Sequence, residues 1–365
     1  MTSRSTPGGF RGRLAAILER AWSGRGTVSN VLLPLAWIFG VVVAIRRWLY
    51  QRGHLPSHTL PVPVVVVGNV VVGGAGKTPA VIAIVRLLRE QGWTPGIVSR
   101  GHGRPREDEV HRVRRESEAG VAGDEPIVLA RRAGVPVFVG SDRVAACHGL
   151  LQAEPTVDII VSDDGLQHLA MQREVEVIVF DERGVGNGRL LPAGPLRESL
   201  SPDATGRCGP SRLVLYSAGV ASTPWPGHLG RRELGAIASL ADWWQARPTP
   251  AAALDALRSR RVLAAAGLAR PRRFFDMLRG AGFSLDELPL PDHYDFATLP
   301  WPSTAGDVIV TEKDAVKLDA GRRFGARVWV TALDFETEAA FATALSACLP
   351  SRPPMTSEAD ANPPA

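Results

Sequence analysis

The hydrophobic pattern beyond residue 60 alternates short apolar runs with longer segments that have apolar residues at helical spacing. Residues 79–91 and 142–152 are helix-like, and the five apolar runs around them predict strands. These predicted strands are Val62–Val67, Gly96–Ser99, Val135–Val139, Asp158–Ser162 and Val175–Phe180. Continuous apolar strands that alternate with helices predict a parallel sheet covered on both faces. Such sheets bind ligands at the carboxyl ends of their strands.

The same alternation continues in the second half of the chain and predicts a smaller α/β domain. Its segments are 212–217, 261–267, 272–282, 307–311 and 327–333. Residues 200–211 are rich in small, polar and turn-forming residues, which places a domain boundary between the two halves. We therefore divide the chain into an N-terminal segment, two domains and a disordered tail. Their limits are 1–55, 56–205, 206–348 and 349–365.

The N-terminal segment combines an apolar run with positive charge. Residues 31–45 are apolar, and Arg46, Arg47 and Arg52 follow them together with two aromatic residues. Residues 1–52 contain eight arginines and one acid, a net charge of +7, so the rest of the chain carries −2 of the overall +5. This distribution is unlike that of a nucleic-acid-binding protein, whose charge covers a folded face. It indicates attraction to an anionic membrane surface.

Two structures remain open for this run of 15 residues. As a helix it would be about 22 Å long, short of the roughly 30 Å hydrocarbon core, and Pro34 and Gly40 weaken it. It is either a buried helix on the main domain or an anchor in the membrane interface, and the coincidence of charge and apolar length favours the anchor. The arginines follow the run, which argues against a secretion signal. The three cysteines form no disulfide or zinc pattern, as is typical of the reducing cytosol.

Residues 64–85, VVVVGNVVVGGAGKTPAVIAIV, run from an apolar strand through a glycine-rich turn into a helix-like segment. In a P-loop the backbone N–H groups of such a turn bind phosphates, Lys77 would reach the β- and γ-phosphates, and Thr78 would ligate Mg²⁺. The usual G-x-x-x-x-G-K-[ST] spacing requires glycine where Val71 stands, so a strand–turn–helix junction without a ligand is the alternative. The predicted nucleotide-binding residues are Val71, Val72, Gly73, Gly74, Ala75, Gly76, Lys77 and Thr78.

Charged residues occur where the sheet would place a ligand. Asp163 and Asp164 end an apolar strand in a Walker B-like segment and could hold Mg²⁺ or its waters, with an Asx-rich turn as the alternative. Asp124 begins a predicted helix, where capping explains it equally well. Arg143 and Arg197 lie in glycine- and proline-bearing loops and could contact a phosphate or cover the surface.

Two further segments bear on the choice of ligand. Residues 311–317, TEKDAVK, lack the guanine-reading Asn-Lys-x-Asp spacing, since Lys313 and Asp314 are adjacent, and this favours ATP over GTP. Lysine is otherwise rare in the chain, which has only Lys77, Lys313 and Lys317. An isolated histidine such as His293 is more often a structural residue than a catalyst.

The order of these motifs resembles the tetraacyldisaccharide 4'-kinase family of lipid A biosynthesis. Over roughly residues 27–335 the motifs are VGNVVVGGAGKTP, VSRGHGR, AGDEP, VGSDR, SDDGLQH, LLPAGPLRE, DHYDF and VTEKDAVKL. The family's P-loop has the shifted form G-N-x-x-x-G-G-x-G-K-T-P, so Val71 fits it. Residues 265–275 depart from the family, which more often has Gly-Ile-Gly there. The resemblance implies an α/β fold with a P-loop NTPase-like parallel-sheet domain, a second, smaller α/β domain, a hairpin-like linker between the two lobes, and an N-terminal membrane-associated helix.

The resemblance also implies a function. A kinase of this family uses ATP and Mg²⁺ to phosphorylate the 4'-hydroxyl of a tetraacylated disaccharide 1-phosphate, giving lipid IVA. We therefore expect a lipid disaccharide substrate and an anionic membrane surface as partners, no nucleic acid, and a monomer. The expected location is the cytoplasmic face of the bacterial inner membrane, with peripheral or N-terminally anchored attachment. A membrane-tethered regulatory P-loop ATPase is the alternative, and a soluble kinase would leave the N-terminal segment unexplained.

Roles for individual residues follow from the resemblance. Asp124 and His293 would act together as the base that activates the sugar hydroxyl. The resemblance also assigns Lys77, Arg143 and Arg197 to the transferred phosphoryl group. It assigns Thr78, Asp163, Asp164 and Glu198 to the metal, and Gln167 and His168 to the nucleotide. Closure of the two lobes could bring His293 to Asp124.

Overall fold

The computed structural model describes residues 18, 20–74, 76–199, 210–319 and 321–351. In this part of the chain, twelve strands form one continuous sheet. The strands of the first half are β1 (Val64–Gly68), β2 (Pro95–Ser99), β3 (His111–Val113), β4 (Val137–Val139), β5 (Ile159–Asp163), β6 (Val175–Phe180) and β7 (Ser211–Tyr216). Their order is β7-β6-β1-β5-β2-β4-β3, and all neighbours are parallel except β3 and β4.

Helices cover this half of the sheet and bury its central strand. They are α1 (Thr27–Val31), α2 (Leu33–Gln51), α3 (Lys77–Glu90), α4 (Ala119–Ala122), α5 (Asp124–Arg132) and α6 (Arg143–Ala153). Every residue of the valine-rich β1 is buried, as expected for a central parallel strand. Helix α3 directs Ala80, Ile84 and Leu88 into the core at helical spacing, which fixes its N-terminus at the carboxyl end of β1.

The second half builds the rest of the sheet in the order β10-β9-β11-β12-β8. Its elements are β8 (His228–Ser239), α7 (Leu240–Trp244), α8 (Ala251–Arg258), β9 (Arg261–Ala266), α9 (Pro271–Gly280), β10 (Ser284–Pro289), β11 (Asp307–Thr311), α10 (Glu312–Ala315), β12 (Arg327–Thr337) and α11 (Ala339–Ala347). The long strands β8 and β12 pair antiparallel, and β8 also pairs with β7 at the Leu215–His228 position. These two strands therefore connect the halves, as the resemblance implied for a hairpin-like linker.

The predicted elements of the first half are all present, with ends shifted by two residues or fewer. Strands β3, β8 and β10 were not predicted. They are partly exposed and carry charged residues, such as Arg231, Arg232 and Glu233 in β8, so they lack the apolar run that identifies a buried strand. The division at residue 205 stays a prediction. Strand β7 pairs with β6 and thus lies with the first half of the chain.

The N-terminal helix is longer than the apolar run predicts. Helix α2 has 19 residues and a length of about 28 Å, because it continues through the arginines after residue 45 and Gly40 does not end it. It is long and apolar enough to cross a membrane, by length and composition alone. One side packs on the protein, since a Cβ at Gly40 would lie 2.8 Å from Leu190 Cδ1. The other side exposes Trp37, Ile38, Val41 and Val42.

Asn187 holds the N-terminal segment on the loop between β6 and β7. Its buried Nδ2 lies 2.9–3.1 Å from Ala21 O, Gly24 O, Ser29 Oγ and Ala193 O. Its Oδ1 accepts a hydrogen bond from the backbone of Arg189 at 3.0 Å. The same loop continues to residues 197 and 198, so this one amide joins the N-terminal segment to a loop that carries candidate site residues.

We predict that Asn187→Ala loosens the N-terminal segment without unfolding the sheet. Several buried polar groups lose their partner, so local stability should fall by about 2 kcal/mol. Amide hydrogen exchange measures the change, and residues 20–51 should lose protection at least tenfold. Asn30→Ala is the matched control, because Asn30 accepts an exposed hydrogen bond from Arg189 on the same surface. Equal protection in the two variants would contradict the assigned role of Asn187.

Candidate functional site

The carboxyl ends of strands from both halves open into one cleft. Strands β1, β2 and β5 of the first half end there, and so do β9, β10 and β11 of the second half. The cleft encloses a cavity of about 500 Å³. Ten predicted site residues line it, namely Gly73, Gly74, Gly76, Lys77, Thr78, Asp124, Asp163, Asp164, Arg197 and His293. Residues predicted from distant parts of the sequence therefore meet in one place.

The glycine-rich turn has the geometry of a phosphate-binding loop. Gly76 has φ of +74° directly before α3, and Gly76, Lys77 and Thr78 line the cleft at the N-terminus of this helix. A Cβ at Gly76 would lie 2.1 Å from Nη2 of Arg232, which packs on the loop from β8. The backbone of Ala75 lies outside the described residues.

Two side chains hold the open shape of this loop. Asn69, buried after β1, donates from Nδ2 to Val71 O at 2.6 Å and Gly73 O at 3.0 Å, and its Oδ1 accepts from Lys77 Nζ at 3.1 Å. Arg183 donates to Val72 O at 2.9 Å and to Gly74 O at 3.2 Å. The carbonyl oxygens of residues 71–74 thus all accept a hydrogen bond from one of these two side chains.

The two aspartates at the end of β5 have different environments. Asp164 accepts from Lys77 Nζ at 2.8 Å and from Arg197 Nη1 at 3.3 Å; burial raises its pKa, but these cations hold the pKa below its usual value. Asp163 is buried, and burial together with Glu125 raises its pKa to about 7 against the charge of Lys77. Its Oδ2 accepts from Ser99 Oγ at 2.9 Å. Its buried Oδ1 has no hydrogen-bond partner among the described residues.

Asp124 and His293 are hydrogen-bonded although 169 residues separate them. Asp124 Oδ2 lies 2.9 Å from His293 Nδ1, and the carboxylate is buried at the start of α5. Burial raises the pKa of Asp124, but His293, Lys313 and Lys317 outweigh it and hold the pKa at about 2. The bond to Asp124 raises the pKa of His293, and burial and Lys313 oppose this. An ionised carboxylate thus orients an imidazole whose other nitrogen, Nε2, faces away from it.

The second and third lysines of the chain contact this pair. Lys313 Nζ lies 2.9 Å from Glu125 Oε1, 3.1 Å from Asp292 Oδ1 and 3.4 Å from His293 Nε2. Lys317 Nζ lies 3.7 Å from Asp124 Oδ2 and 3.3 Å from Asp314 Oδ1. All three lysines of the sequence therefore lie at the candidate site.

A row of polar contacts continues from Asp164 toward the N-terminal helix. Arg197 Nη1 lies 3.4 Å from Gln167 Oε1. Gln167 Nε2 in turn donates to Glu198 Oε1 at 2.8 Å, and Glu198 Oε2 pairs with Arg47 of α2 at 2.7 Å. Gln167 and Glu198 do not line the cavity but hold Arg197, which does. Their predicted roles toward nucleotide and metal stay predictions.

Four other predicted residues lie behind the cleft lining. Val71 and Val72 are joined to the loop before Arg197, with Val72 N donating to Pro195 O at 2.9 Å. The buried guanidinium of Arg143 donates to Gly140 O at 2.9 Å and to Ser141 O at 3.2 Å. Burial and Arg143 lower the pKa of His168 to about 4, so its ring is neutral near pH 7. These contacts indicate that the four residues support the site, and their predicted direct roles stay predictions.

Sequence reasoning gave no role to Asn69, Arg183, Arg232, Lys313 or Lys317. The sequence does mark the two lysines as candidates, because the chain uses arginine almost everywhere and yet has both lysines in the short segment TEKDAVK. Asn69 lies within the family motif VGNVVVGGAGKTP. Nothing in the local sequence marks Arg183 or Arg232, since their contacts with the P-loop arise from strand order.

Comparison with known proteins gives consistent results. A family model described as Tetraacyldisaccharide-1-P 4'-kinase matches residues 28–350. Proteins named Tetraacyldisaccharide 4'-kinase from Methylibium petroleiphilum and Leptothrix cholodnii are each 52% identical to this chain. The match to the first covers 93% of this chain and 95% of the relative, and the match to the second covers 95% of this chain and 99% of the relative. The crystal structure of LpxK from Aquifex aeolicus in complex with ATP matches with a TM-score of 0.73 and 26% identity, over 88% of this chain and 99% of that one.

We predict that Asp124→Asn lowers the pKa of His293 by about one unit or more, because the acceptor that favours the imidazolium loses its charge. NMR titration of the His293 ring measures this without any substrate. The raised pKa of His293 and the lowered pKa of Asp124 also mean that the pair stabilises the fold fully between about pH 4 and pH 6.5. This stabilisation is lost as pH rises through the folded pKa of His293, or falls through that of Asp124. His228, which contacts Glu338 at 3.0 Å, is the internal control. An unshifted His293 titration would contradict the pairing.

Proposed function

Because this chain belongs to the tetraacyldisaccharide-1-P 4'-kinase family, we propose that its cleft transfers the γ-phosphoryl group of ATP to the 4'-hydroxyl of a tetraacylated disaccharide 1-phosphate, giving lipid IVA. The chain is accordingly a kinase of lipid A biosynthesis. The observation that carries the proposed chemistry is the 2.9 Å contact between Asp124 and His293 in the cavity that also contains Lys77.

The P-loop side of the cleft suits the triphosphate of ATP. Lys77 supplies a cation, the start of α3 supplies the N–H groups of a helix N-terminus, and Arg197 adds a second cation in the cavity lining. Apolar side chains line another part of the cavity and would accept the flat base. They are Ile82, Leu268, Phe274, Met277 and Leu333.

The opposite side of the cleft suits the acceptor. A sugar hydroxyl is a weak nucleophile, so a base must take its proton as the oxygen attacks the γ-phosphorus. His293 Nε2 receives this proton, and the Asp124 carboxylate stabilises the imidazolium that forms. The new P–O bond forms as the bond to ADP breaks, and Lys77 and Arg197 offset the charge on the phosphoryl oxygens.

Asp163 and Asp164, at the end of β5, are suited to hold Mg²⁺. The buried Oδ1 of Asp163 lacks a partner in the described part of the chain, and its carboxyl has a raised pKa that a cation would lower. No group of three or more His, Cys, Asp or Glu side chains there could hold a metal, which suits an ion that uses few carboxylates and substrate phosphates. Asp163, Asp164 and Thr78 would hold the ion, which would neutralise charge on the phosphates.

Helix α2 is the proposed membrane contact. Its docked side fixes it along the loop before Arg197, so it would lie in the interface with Trp37, Ile38, Val41 and Val42 in the lipid. Arg46 and Arg52 at its end would meet anionic headgroups, as on the cytoplasmic leaflet. An acceptor with acyl chains in the bilayer could then reach the cleft next to the helix.

We predict that labelled γ-phosphate from ATP appears in the lipid acceptor with the unmodified protein. Lys77→Ala and Asp124→Ala should lower turnover at least a hundredfold, because each removes a charge that acts on the reacting atoms. Thin-layer separation of the labelled lipid measures transfer. Asp286→Ala is the control, since Asp286 forms an exposed ion pair with Arg261 far along the sheet. Label released only as free phosphate would instead indicate a regulatory ATPase.

We predict that Trp37→Glu combined with Val41→Glu releases the protein from vesicles that contain anionic lipid. Two charges on the lipid-facing side oppose burial in the interface, and the exposed positions leave the fold unchanged. Co-sedimentation with vesicles measures binding, and Val220→Glu, at an exposed valine of another surface, is the control. Undiminished sedimentation of the double variant would refute the proposed membrane contact.

A further inference from the structure

Lys313 occupies a position that links the two halves of the candidate site. It lies in the first turn of α10, after β11, and its side chain is only 15% exposed. Its ammonium contacts Glu125 of α5 in the first half, and Asp292 and His293 of the loop after β10. Three N–H donors thus meet three acceptors, which fully uses the ammonium group.

The contact with His293 restricts the protonation of the ring. A lysine ammonium only donates hydrogen bonds, so the Nε2 atom 3.4 Å away acts as the acceptor and carries no proton. The ring proton then lies on Nδ1, where it is donated to Asp124 Oδ2 at 2.9 Å. This is the tautomer that a base acting through Nε2 requires.

The backbone of the same loop also needs support. His293 has φ of +58°, a left-handed conformation that residues other than glycine rarely adopt. Asp292 Oδ1 accepts from His293 N at 3.1 Å and also from Lys313. Contacts from Lys313 and Asp124 therefore hold both the backbone and the ring of His293 in place.

We propose that Lys313 is a positioning residue of phosphoryl transfer, which holds the neutral His293 ring with its proton on Nδ1 and fastens the His293 loop to α5. This inference rests on the proposed function. When an acceptor hydroxyl donates to Nε2, Lys313 gives up that contact and keeps Glu125 and Asp292. The hydroxyl proton moves to Nε2, and the nearby ammonium favours its later release.

The other groups that face His293 are consistent with this role. Asp124 favours the charged ring, and so does Asp292 of its own loop, whereas Lys313 opposes it. Lys317 Nζ lies 3.7 Å from Asp124 Oδ2, the same oxygen that contacts His293, and the ring of His102 lies 6.4 Å from the His293 ring, edge-on. Removing the Lys313 charge should therefore raise the pKa of His293 and leave more of the ring protonated at neutral pH.

Two substitutions separate positioning from simple ion pairing. Lys313→Met removes the donor and should lower kcat/KM at pH 7 about 10- to 100-fold, with KM for ATP within about twofold. The acid limb of the pH profile of kcat/KM in this variant should move to a pH roughly one unit higher. Lys313→Arg keeps a donor-only cation and should restore activity to within about tenfold of the unmodified protein. Arg261→Met is the control, because Arg261 pairs with Asp286 on the surface, and it should match the unmodified protein.

The tautomer itself can be measured without turnover. In protein labelled with ¹⁵N at histidine, the His293 signals are assigned by their absence in His293→Gln, and the unmodified protein should show a neutral ring protonated at Nδ1 above the pKa. Lys313→Met should shift the ring toward the Nε2–H or doubly protonated form. A neutral ring protonated at Nε2 in the unmodified protein would overturn the inference, whether or not the variants fold.

Equal losses in the Met and Arg variants, with an unmoved acid limb, would also overturn it and leave Lys313 a structural ion pair. Failure of the proposed function has a different signature. In that case the unmodified protein transfers no phosphate to the lipid, while the tautomer measurement still decides whether Lys313 sets the state of His293.

Discussion

The hydrogen bond between Asp124 and His293 is the interaction on which the candidate site depends. It joins the start of α5 in the first half of the chain to a loop of the second half, so it exists only when both halves are in place. The buried carboxylate would be costly without partners, and His293, Lys313 and Lys317 supply them. The proposed catalytic pair is therefore also a contact between the two halves of the chain.

Opposite charges are balanced along the cleft in two groups. On the P-loop side Lys77 and Arg197 face Asp164, and on the side of His293 the lysines Lys313 and Lys317 face acids of α5 and of the His293 loop. Such pairing keeps many ionised groups in a partly buried space without leaving any one of them isolated. In the described residues the buried Oδ1 of Asp163 has no hydrogen-bond partner, and the same holds for Nε of Arg143 and Nε2 of His168.

The N-terminal helix also contacts residues that support the cleft. Arg47 of α2 pairs with Glu198, and Glu198 holds Gln167 beside Arg197 in the cleft. Asn187 ties the residues before α2 to the same loop. The proposed membrane contact and the proposed phosphate contact thus involve one and the same loop.

The sequence by itself determined the buried parallel strands, the P-loop and the apolar, basic N-terminus, because each is a local pattern of residues that a short segment must satisfy. It also supplied the family, through motifs spread along the chain. Only the tertiary structure decided how these segments meet. Partly exposed strands such as β8 have no apolar signature, yet β8 brings Arg232 onto the P-loop. The contacts of Lys313 with Glu125 and His293 span 188 and 20 residues, and they depend on strand order, which local pattern does not encode.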